Sequence, residues 1–259
     1  MKTLLCLLSC AIVAHAADAP PALVAKDLAA SLSALQQDGA SLVRLKIEVK
    51  PAGAPKFSLQ LQIKQRRTAK STEAVYQVLW PKERTGEAVL LKQSGNGPAS
   101  GSVFIPPNTT RAFSPAQMKD GLFGSDISYG DVLENFFEWE NQAIVGTEVV
   151  DRVSCQILES KPGKGERSAY PVVRTWVDTR RLVPLRIEKY QSSGAVARRI
   201  DTRDVAKDDS GRSVPANLTI SSPQSGSSTN LEGSKLRHDV NFADREFTAE
   251  GIKDVAAAR

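Results

Sequence analysis

The residue types that could support covalent catalysis are scarce in this sequence, and their spacing has no catalytic pattern. Beyond residue 16 the chain contains one cysteine, Cys155, and one histidine, His238. Together they could form a nucleophilic dyad, but neither stands in a motif that would orient it. Cys155 shares the alternating apolar face of a predicted strand with Val153 and Ile157, which indicates a buried structural thiol. No ligand spacing typical of zinc is present either. Since no catalytic motif and no metal-ligand pattern is found, we expect a protein that is not an enzyme and has no metal or cofactor.

Acidic side chains are concentrated between positions 126 and 140, and paired carboxylates can catalyse hydrolysis. The cluster consists of Asp126, Asp131, Glu134, Glu138 and Glu140. Asp131 stands three residues after Ser128, which is the spacing of a helix capping box. We therefore interpret Asp131 as a capping residue and the glutamates as the polar face of the same helix. The segment Asp208-Asp209-Ser210-Gly211 lacks the pattern of a calcium loop and predicts a hairpin turn.

The stretch from Gly121 to Trp139 is rich in aromatic residues in a chain that has only 6% of them. It predicts a helix with one apolar face, formed by Val132, Leu133, Phe136 and Phe137. A short helix with such a face must pack against another apolar surface. That surface is either a filled core or the floor of a cavity that can be emptied, and the sequence leaves both alternatives open.

Residues 1–16 have the organisation of a cleaved secretory signal, with a basic start, an apolar stretch and the small-residue site Ala14-His15-Ala16. We expect a mature chain that begins at Ala17 and has 259 − 16 = 243 residues. The run Leu7-Leu8-Ser9-Cys10 resembles a lipobox, but the short segment before Cys10 makes lipid anchoring there the less favoured alternative. The apolar stretch is too short to span a bilayer about 30 Å thick.

An exported chain with a single remaining thiol cannot depend on internal disulfides, so the fold must rest on its own core. The formal net charge is +5 at pH 7 and is spread along the sequence. Arginine pairs are scattered and are not interleaved with aromatic residues, which excludes an organised nucleic-acid surface. We expect a monomer.

A two-residue period dominates most of the chain. Apolar residues alternate with polar ones over 43–50 and again over 57–64, after an amphipathic helix predicted to end near Gln37. We predict about ten to twelve sequential strands that pair as a meander. Strands with one apolar face predict a strongly curved antiparallel sheet. The expected fold is mainly β, an incomplete barrel covered by the N-terminal helix and a helical insertion at about 107–140, in a single domain over 17–259.

Several segments resemble the periplasmic outer-membrane lipoprotein-sorting protein family. The most specific is Gly124-Ser125-Asp126-Ile127-Ser128-Tyr129-Gly130-Asp131, and weaker matches lie at Trp80–Glu87, Phe104–Pro107, Trp176–Asp178, Pro184–Glu188 and Asp244–Thr248. The resemblance implies a LolA/LolB-like half-barrel that binds lipid or the acyl chains of lipoproteins in the periplasm, for transport toward the outer membrane. It also implies an inner-membrane transporter or an outer-membrane acceptor as partner.

On this interpretation we expect contacts in the cavity or its lid from eight apolar residues. They are Trp80, Phe104, Phe123, Val132, Leu133, Phe136, Phe137 and Trp176. Arg174 and Arg186 lie in predicted strands; facing inward, either could bind a headgroup or hold the cover, and facing outward, either is ordinary surface. The alternative function is a non-enzymatic envelope interaction or sensor domain on the same fold, with an inner-membrane transporter or an anti-sigma factor as its partner.

Overall fold

The computed structural model describes residues 24–254, except residues 38, 96 and 167 and the side chains of residues 234 and 235. The expected signal peptide, with Cys10, lies outside the described residues. The predicted N-terminal helix is present as α1 (Ala25–Gln36), which buries Leu28, Ala29 and Leu32. Among the described residues, no helix is long and apolar enough to cross a membrane.

Thirteen strands follow α1 in the part of the chain that the structure describes. The first six are β1 (Gly39–Lys50), β2 (Phe57–Thr68), β3 (Ser71–Trp80), β4 (Ala88–Ser94), β5 (Ser100–Ile105) and β6 (Thr109–Ala112). The other seven are β7 (Asn141–Val150), β8 (Val153–Lys161), β9 (Val172–Asp178), β10 (Val183–Tyr190), β11 (Val196–Lys207), β12 (Ser213–Ser222) and β13 (Ser227–His238).

These strands form one antiparallel sheet in the order β6-β5-β4-β3-β2-β1-β13-β12-β11-β10-β9-β8-β7. The predicted mainly β, antiparallel fold is confirmed, but the expected single meander is corrected. There are two meanders, β1–β6 and β7–β13, and the first and last strands join them at the centre. The insertion between β6 and β7 separates those two strands, which become the edges of an open sheet.

The two faces of the sheet are covered by different segments. The face that carries α1 and the insertion is called the inner face here. On β3 to β5 its buried residues include Ala74, Tyr76, Val89, Leu91 and Val103. On the outer face of the same strands, Val75, Leu90 and Phe104 pack under Phe247 and Ile252 of the C-terminal segment. The sequence predicts a polar outer face. The C-terminal cover departs from this expectation, as does an apolar cluster on β8 to β10 that includes Cys155 and Trp176.

The insertion contains a shorter helix than the sequence predicts. Helix α2 spans Tyr129–Leu133, and Glu134 then has extended backbone angles (φ −75°, ψ 124°) before a 3-10 turn at Phe136–Glu138. The predicted capping box is confirmed, because the Ser128 hydroxyl accepts from the Asp131 amide and the Asp131 carboxylate accepts from the Ser128 amide. The break at Glu134 allows the apolar residues on its two sides to pack on different halves of the sheet.

Candidate functional site

The segment over residues 113–140, called the crossing segment below, lies on the inner face and contacts both meanders. Its first part packs on β3 to β5 through Leu122, Tyr129 and Leu133, all buried. The rings of Phe113 and Tyr129 meet edge to face with their centroids 5.2 Å apart. This part of the crossing segment therefore belongs to the first meander.

The last part of the crossing segment packs on the second meander and on α1. Phe136, Phe137 and Trp139 are buried in one cluster with Leu28 of α1 and Leu158 of β8. The ring centroids of Phe136 and Phe137 lie 4.4 Å apart. Because its first part packs on the first meander and its last part on the second, the crossing segment spans the inner face of the sheet.

The buried carboxylate of Asp126 links the crossing segment, just before α2, to the turn of the β12–β13 hairpin. Asp126 is 6% exposed. It accepts hydrogen bonds from the hydroxyls of Ser222, Ser227 and Thr229, at 2.9, 2.5 and 2.9 Å. Three hydroxyl donors compensate the desolvation of a buried carboxylate. Asp126 therefore has a structural role in the most specific of the resembling motifs.

A second carboxylate of the same motif forms a buried ionic cluster, called the ionic clasp below and composed of Asp131, Glu134, Lys189 and Arg198. Lys189 Nζ lies 2.7 Å from Asp131 Oδ1 and 3.9 Å from Glu134 Oε2, and Arg198 Nε lies 3.4 Å from Asp131 Oδ2. Lys189 is 1% exposed. A lysine so deeply buried is retained only with charged partners.

The two carboxylates of the ionic clasp have pKa values displaced in opposite directions. Burial would raise the pKa of Asp131, but Lys189, Arg198 and the hydrogen bonds from Lys189 and Ser128 outweigh burial and lower it below 3.8. Burial raises the pKa of Glu134 above 4.5, and the more distant Lys189 only partly opposes this. Asp131 is thus the permanent anion of the ionic clasp.

We expect these displacements to appear as opposite pH dependences of stability. The raised pKa of Glu134 means that its contribution is fully present below pH 4.5 and is lost as pH rises through the folded-state value. The free energy of unfolding of Glu134→Gln, measured with urea, should therefore rise relative to that of wild type from pH 4 to pH 7. The lowered pKa of Asp131 has the opposite effect, because its contribution to stability is present above the unfolded-state pKa. Asp131→Asn should therefore lose the most free energy of unfolding, relative to wild type, above pH 4. A Glu134→Gln difference that is flat with pH would contradict this assignment.

Two arginines of the first meander bond to backbone carbonyls of the crossing segment. Arg67 Nη2 donates to the Val132 carbonyl, and Arg84 Nη1 donates to the Phe123 carbonyl at 3.4 Å. Neither bond depends on the side chain of the residue that it holds. Polar contacts at its margins thus hold the crossing segment in place, together with its buried apolar side chains.

A cavity of about 900 Å³ opens between the crossing segment, the end of α1 and the turns of the first meander. This volume lies within the range of small-molecule sites. Residues from the β2–β3 and β4–β5 turns and from the β8–β9 connection complete the lining. Leu133, Met118 and Ala99 line the cavity and also belong to the apolar cluster of the first meander. The cavity floor is therefore continuous with the apolar inner face.

The structure places the eight predicted contact residues in different environments. Leu133 lines the cavity. Phe123 and Val132 are partly buried on the inner face, and Phe136 and Phe137 fix the crossing segment to α1. The crossing segment thus has the position expected of a lid, while ligand contact by these residues stays a prediction.

Three of the eight expectations need correction. Phe104 lies on the outer face under the C-terminal segment, because the alternation of β5 directs Val103, not Phe104, to the inner face. Trp176 packs on the outer face with Cys155, and its indole donates to Glu148 at 2.8 Å. Trp80 is 51% exposed at the end of β3. None of the three lines the cavity.

The arginines singled out from the sequence also face outward, on the side of Trp176. Arg174 pairs with Glu159 at 2.8 Å, and Arg186 lies over the Trp176 ring at 5.4 Å. In the same meander Lys189 and Arg198 face inward instead, toward Asp131 of the crossing segment, and the sequence reasoning missed both. Lys189 lies on the same face of its strand as Ile187, two residues away, and Arg198 lies on the same face as Ile200. A cation that alternates in step with apolar residues was the sequence pattern that could have indicated an inward side chain.

Cys155 and His238 do not form a dyad. They lie on β8 and β13, five places apart in the sheet. Cys155 is buried as predicted, and burial, with Asp178 nearby, raises the pKa of its thiol to about 11. Asp208 and Asp209 form the predicted hairpin turn, where Arg212 bonds to Asp208 at 2.8 Å and supplies positive charge beside these carboxylates.

Solved bacterial structures share this architecture. A DUF1329 family protein from Desulfovibrio piger is 21% identical, with a TM-score of 0.81 over 88% of this chain and 97% of its own. An outer membrane lipoprotein-sorting protein domain from Vibrio parahaemolyticus is 19% identical, with a TM-score of 0.78 over 89% and 98%. A LolA superfamily protein from Nitrosomonas europaea is 18% identical, with a TM-score of 0.69 over 88% and 98%.

The fold is therefore that of the LolA-like proteins, and the resemblance to outer-membrane lipoprotein-sorting proteins is confirmed at the level of the fold. A family model with the description "Uncharacterized protein" matches residues 70–254. That range covers more than half of the chain, and the chain belongs to this family. No curated protein matches it in sequence.

Proposed function

We propose that this chain is a periplasmic carrier that holds lipid or lipoprotein acyl chains between the sheet and the crossing segment. One observation carries the proposal: the cavity beside the crossing segment has a floor that includes Leu133 and Met118 and continues into the apolar inner face. The lipoprotein-sorting description of one structural neighbour supports the same function.

The free energy of transfer explains why a carrier needs such a surface. Burial of each methylene contributes about 0.8 kcal/mol, so a 14-carbon chain in water has a penalty of roughly 11 kcal/mol. A carrier must offset this with an apolar concavity whose cover can move. A cover fixed by localised contacts, such as the Asp126 hydroxyl bonds and the ionic clasp, can be released without unfolding the sheet.

The exchange route is part of the proposal. An inner-membrane donor and an outer-membrane acceptor are the partners that a carrier between two membranes requires, and the chain acts on its cargo without covalent chemistry. Export through residues 1–16 places the mature protein between those membranes.

Native mass spectrometry of the protein purified from periplasm tests the proposal. We expect a stoichiometric adduct that lipid extraction identifies as a lipid or an acylated peptide. Added acyl-chain ligand should restore the adduct after delipidation. A clean apo mass, with no uptake of added lipids, would show that the inner face is a filled core and would favour the interaction-domain alternative.

A further inference from the structure

The cavity lining carries positive charge on the side formed by the first meander and the start of the crossing segment. Arg67 and Lys70 come from the β2–β3 turn region, and Lys119 comes from the 3-10 turn at 115–119. Within the described residues, none of the three forms an ion pair with a carboxylate. This side of the cavity therefore presents uncompensated cations.

Arg67 also has an unused donor. Its Nη2 is occupied by the Val132 carbonyl, but its buried Nε has no hydrogen-bond partner among the described residues. An unsatisfied buried donor costs about 1–3 kcal/mol. An anionic group that entered beside Arg67 would supply an acceptor stronger than a backbone carbonyl.

The side formed by the end of the crossing segment, α1 and the β8–β9 connection is acidic. Glu138 accepts from Ser33 at 3.2 Å and from Gln37, both neutral donors. Glu166, in the β8–β9 connection, accepts from the backbone amide of Gly163. Neutral donors satisfy hydrogen bonding but do not cancel charge, so these two carboxylates leave negative charge at the cavity. Glu134, by contrast, belongs to the ionic clasp.

We propose that the cavity binds the head of a zwitterionic amphiphile, and this inference rests on the carrier function proposed above. The anionic group lies against Arg67, Lys70 and Lys119, and the cationic group lies against Glu138 and Glu166. The hydrocarbon begins at Leu133 and follows the apolar floor. A phosphate with a nearby primary ammonium has this chemistry, either as a lipid head or as free phosphoethanolamine.

Isothermal titration with two short-chain phospholipids and with free phosphoethanolamine tests the charge pattern. Dihexanoyl phosphatidylethanolamine should bind about tenfold more tightly than dihexanoyl phosphatidylglycerol, the effect of one charge-assisted hydrogen bond. Free phosphoethanolamine should bind much more weakly than the lipid. If it binds as tightly, the lipid source is overturned and the site belongs to a soluble zwitterion.

Variants assign the two groups of charges. Lys70→Gln and Lys119→Gln should weaken binding of both phospholipids, whereas the exposed control Lys164→Gln, outside the lining, should leave it unchanged. Glu138→Gln keeps its hydrogen-bond acceptor and should abolish the preference for the ethanolamine lipid. Equal binding of both lipids by wild type, or equal loss in Lys164→Gln, would overturn this inference alone. Failure of both lipids to bind, while a labelled fatty acid still binds, would also overturn this inference alone; failure of the fatty acid as well would refute the carrier function.

Discussion

Lys189→Met should lower the free energy of unfolding by about 3 kcal/mol, because it leaves Asp131 and Glu134 buried without their principal cation. Arg198 remains 3.4 Å from Asp131, which places the expected loss at the lower end for broken buried pairs. Urea denaturation followed by circular dichroism measures it. Hydrogen exchange of residues 126–139 should accelerate in the same variant, since the ionic clasp fixes that part of the crossing segment.

A double-mutant cycle separates the ionic clasp from simple loss of a side chain. Asp131→Asn combined with Lys189→Met should be less destabilised than the sum of the two changes, with a coupling energy of about 2 kcal/mol. Lys161→Met is the matched control. The Lys161 side chain is half exposed, and its partner Glu159 keeps a second ion pair with Arg174 at 2.8 Å, so the expected loss is at most about 1 kcal/mol. Equal losses in Lys189→Met and Lys161→Met would refute the ionic clasp.

Leu133→Asp should reduce the affinity for an acyl-chain probe by about two orders of magnitude. Leu133 is 3% exposed and joins the cavity to the apolar inner face. A buried leucine contributes about 1.5–3 kcal/mol of apolar contact, and 2.8 kcal/mol corresponds to about a hundredfold change in affinity. Fluorescence titration with a labelled fatty acid measures the change.

Two control variants distinguish lost binding from lost folding. Leu133→Met conserves volume and should retain both stability and uptake. Leu158→Ala removes a fully buried side chain of β8 that is outside the cavity lining, so it should lower stability by about 2–5 kcal/mol while the folded protein keeps its affinity. Unchanged probe affinity in folded Leu133→Asp would remove the cavity from the binding site.

Local patterns predicted most elements of the fold, but not β6 (Thr109–Ala112), which lies in the range predicted as a helical insertion. Alternation along β1 and β2 and the capping pair Ser128 and Asp131 are properties of a few neighbouring residues, and both occur as predicted. Strand order was not local. The pairing of β1 with β13 brings together the ends of the chain, and no sequence pattern in either strand specifies the other.

Site residues were predicted least well where the face of a strand was in question. Aromatic residues indicate burial but do not indicate which face is buried, and Phe104 and Trp176 are buried on the outer face. The helix predicted to continue past Leu133 ends there because its two ends pack on different halves of the sheet. Asp131 was recognised as a cap, but its partners Lys189 and Arg198 are distant in sequence.

The central seam between β1 and β13 has a consequence for how the chain acquires its structure. Val49 pairs with Thr229, and 229 − 49 = 180 residues separate them. A nascent chain therefore cannot complete the middle of its sheet until nearly all of it has been synthesised, and until then β1 presents an unpaired edge. Such long-range pairing makes folding slow and leaves intermediates prone to aggregation.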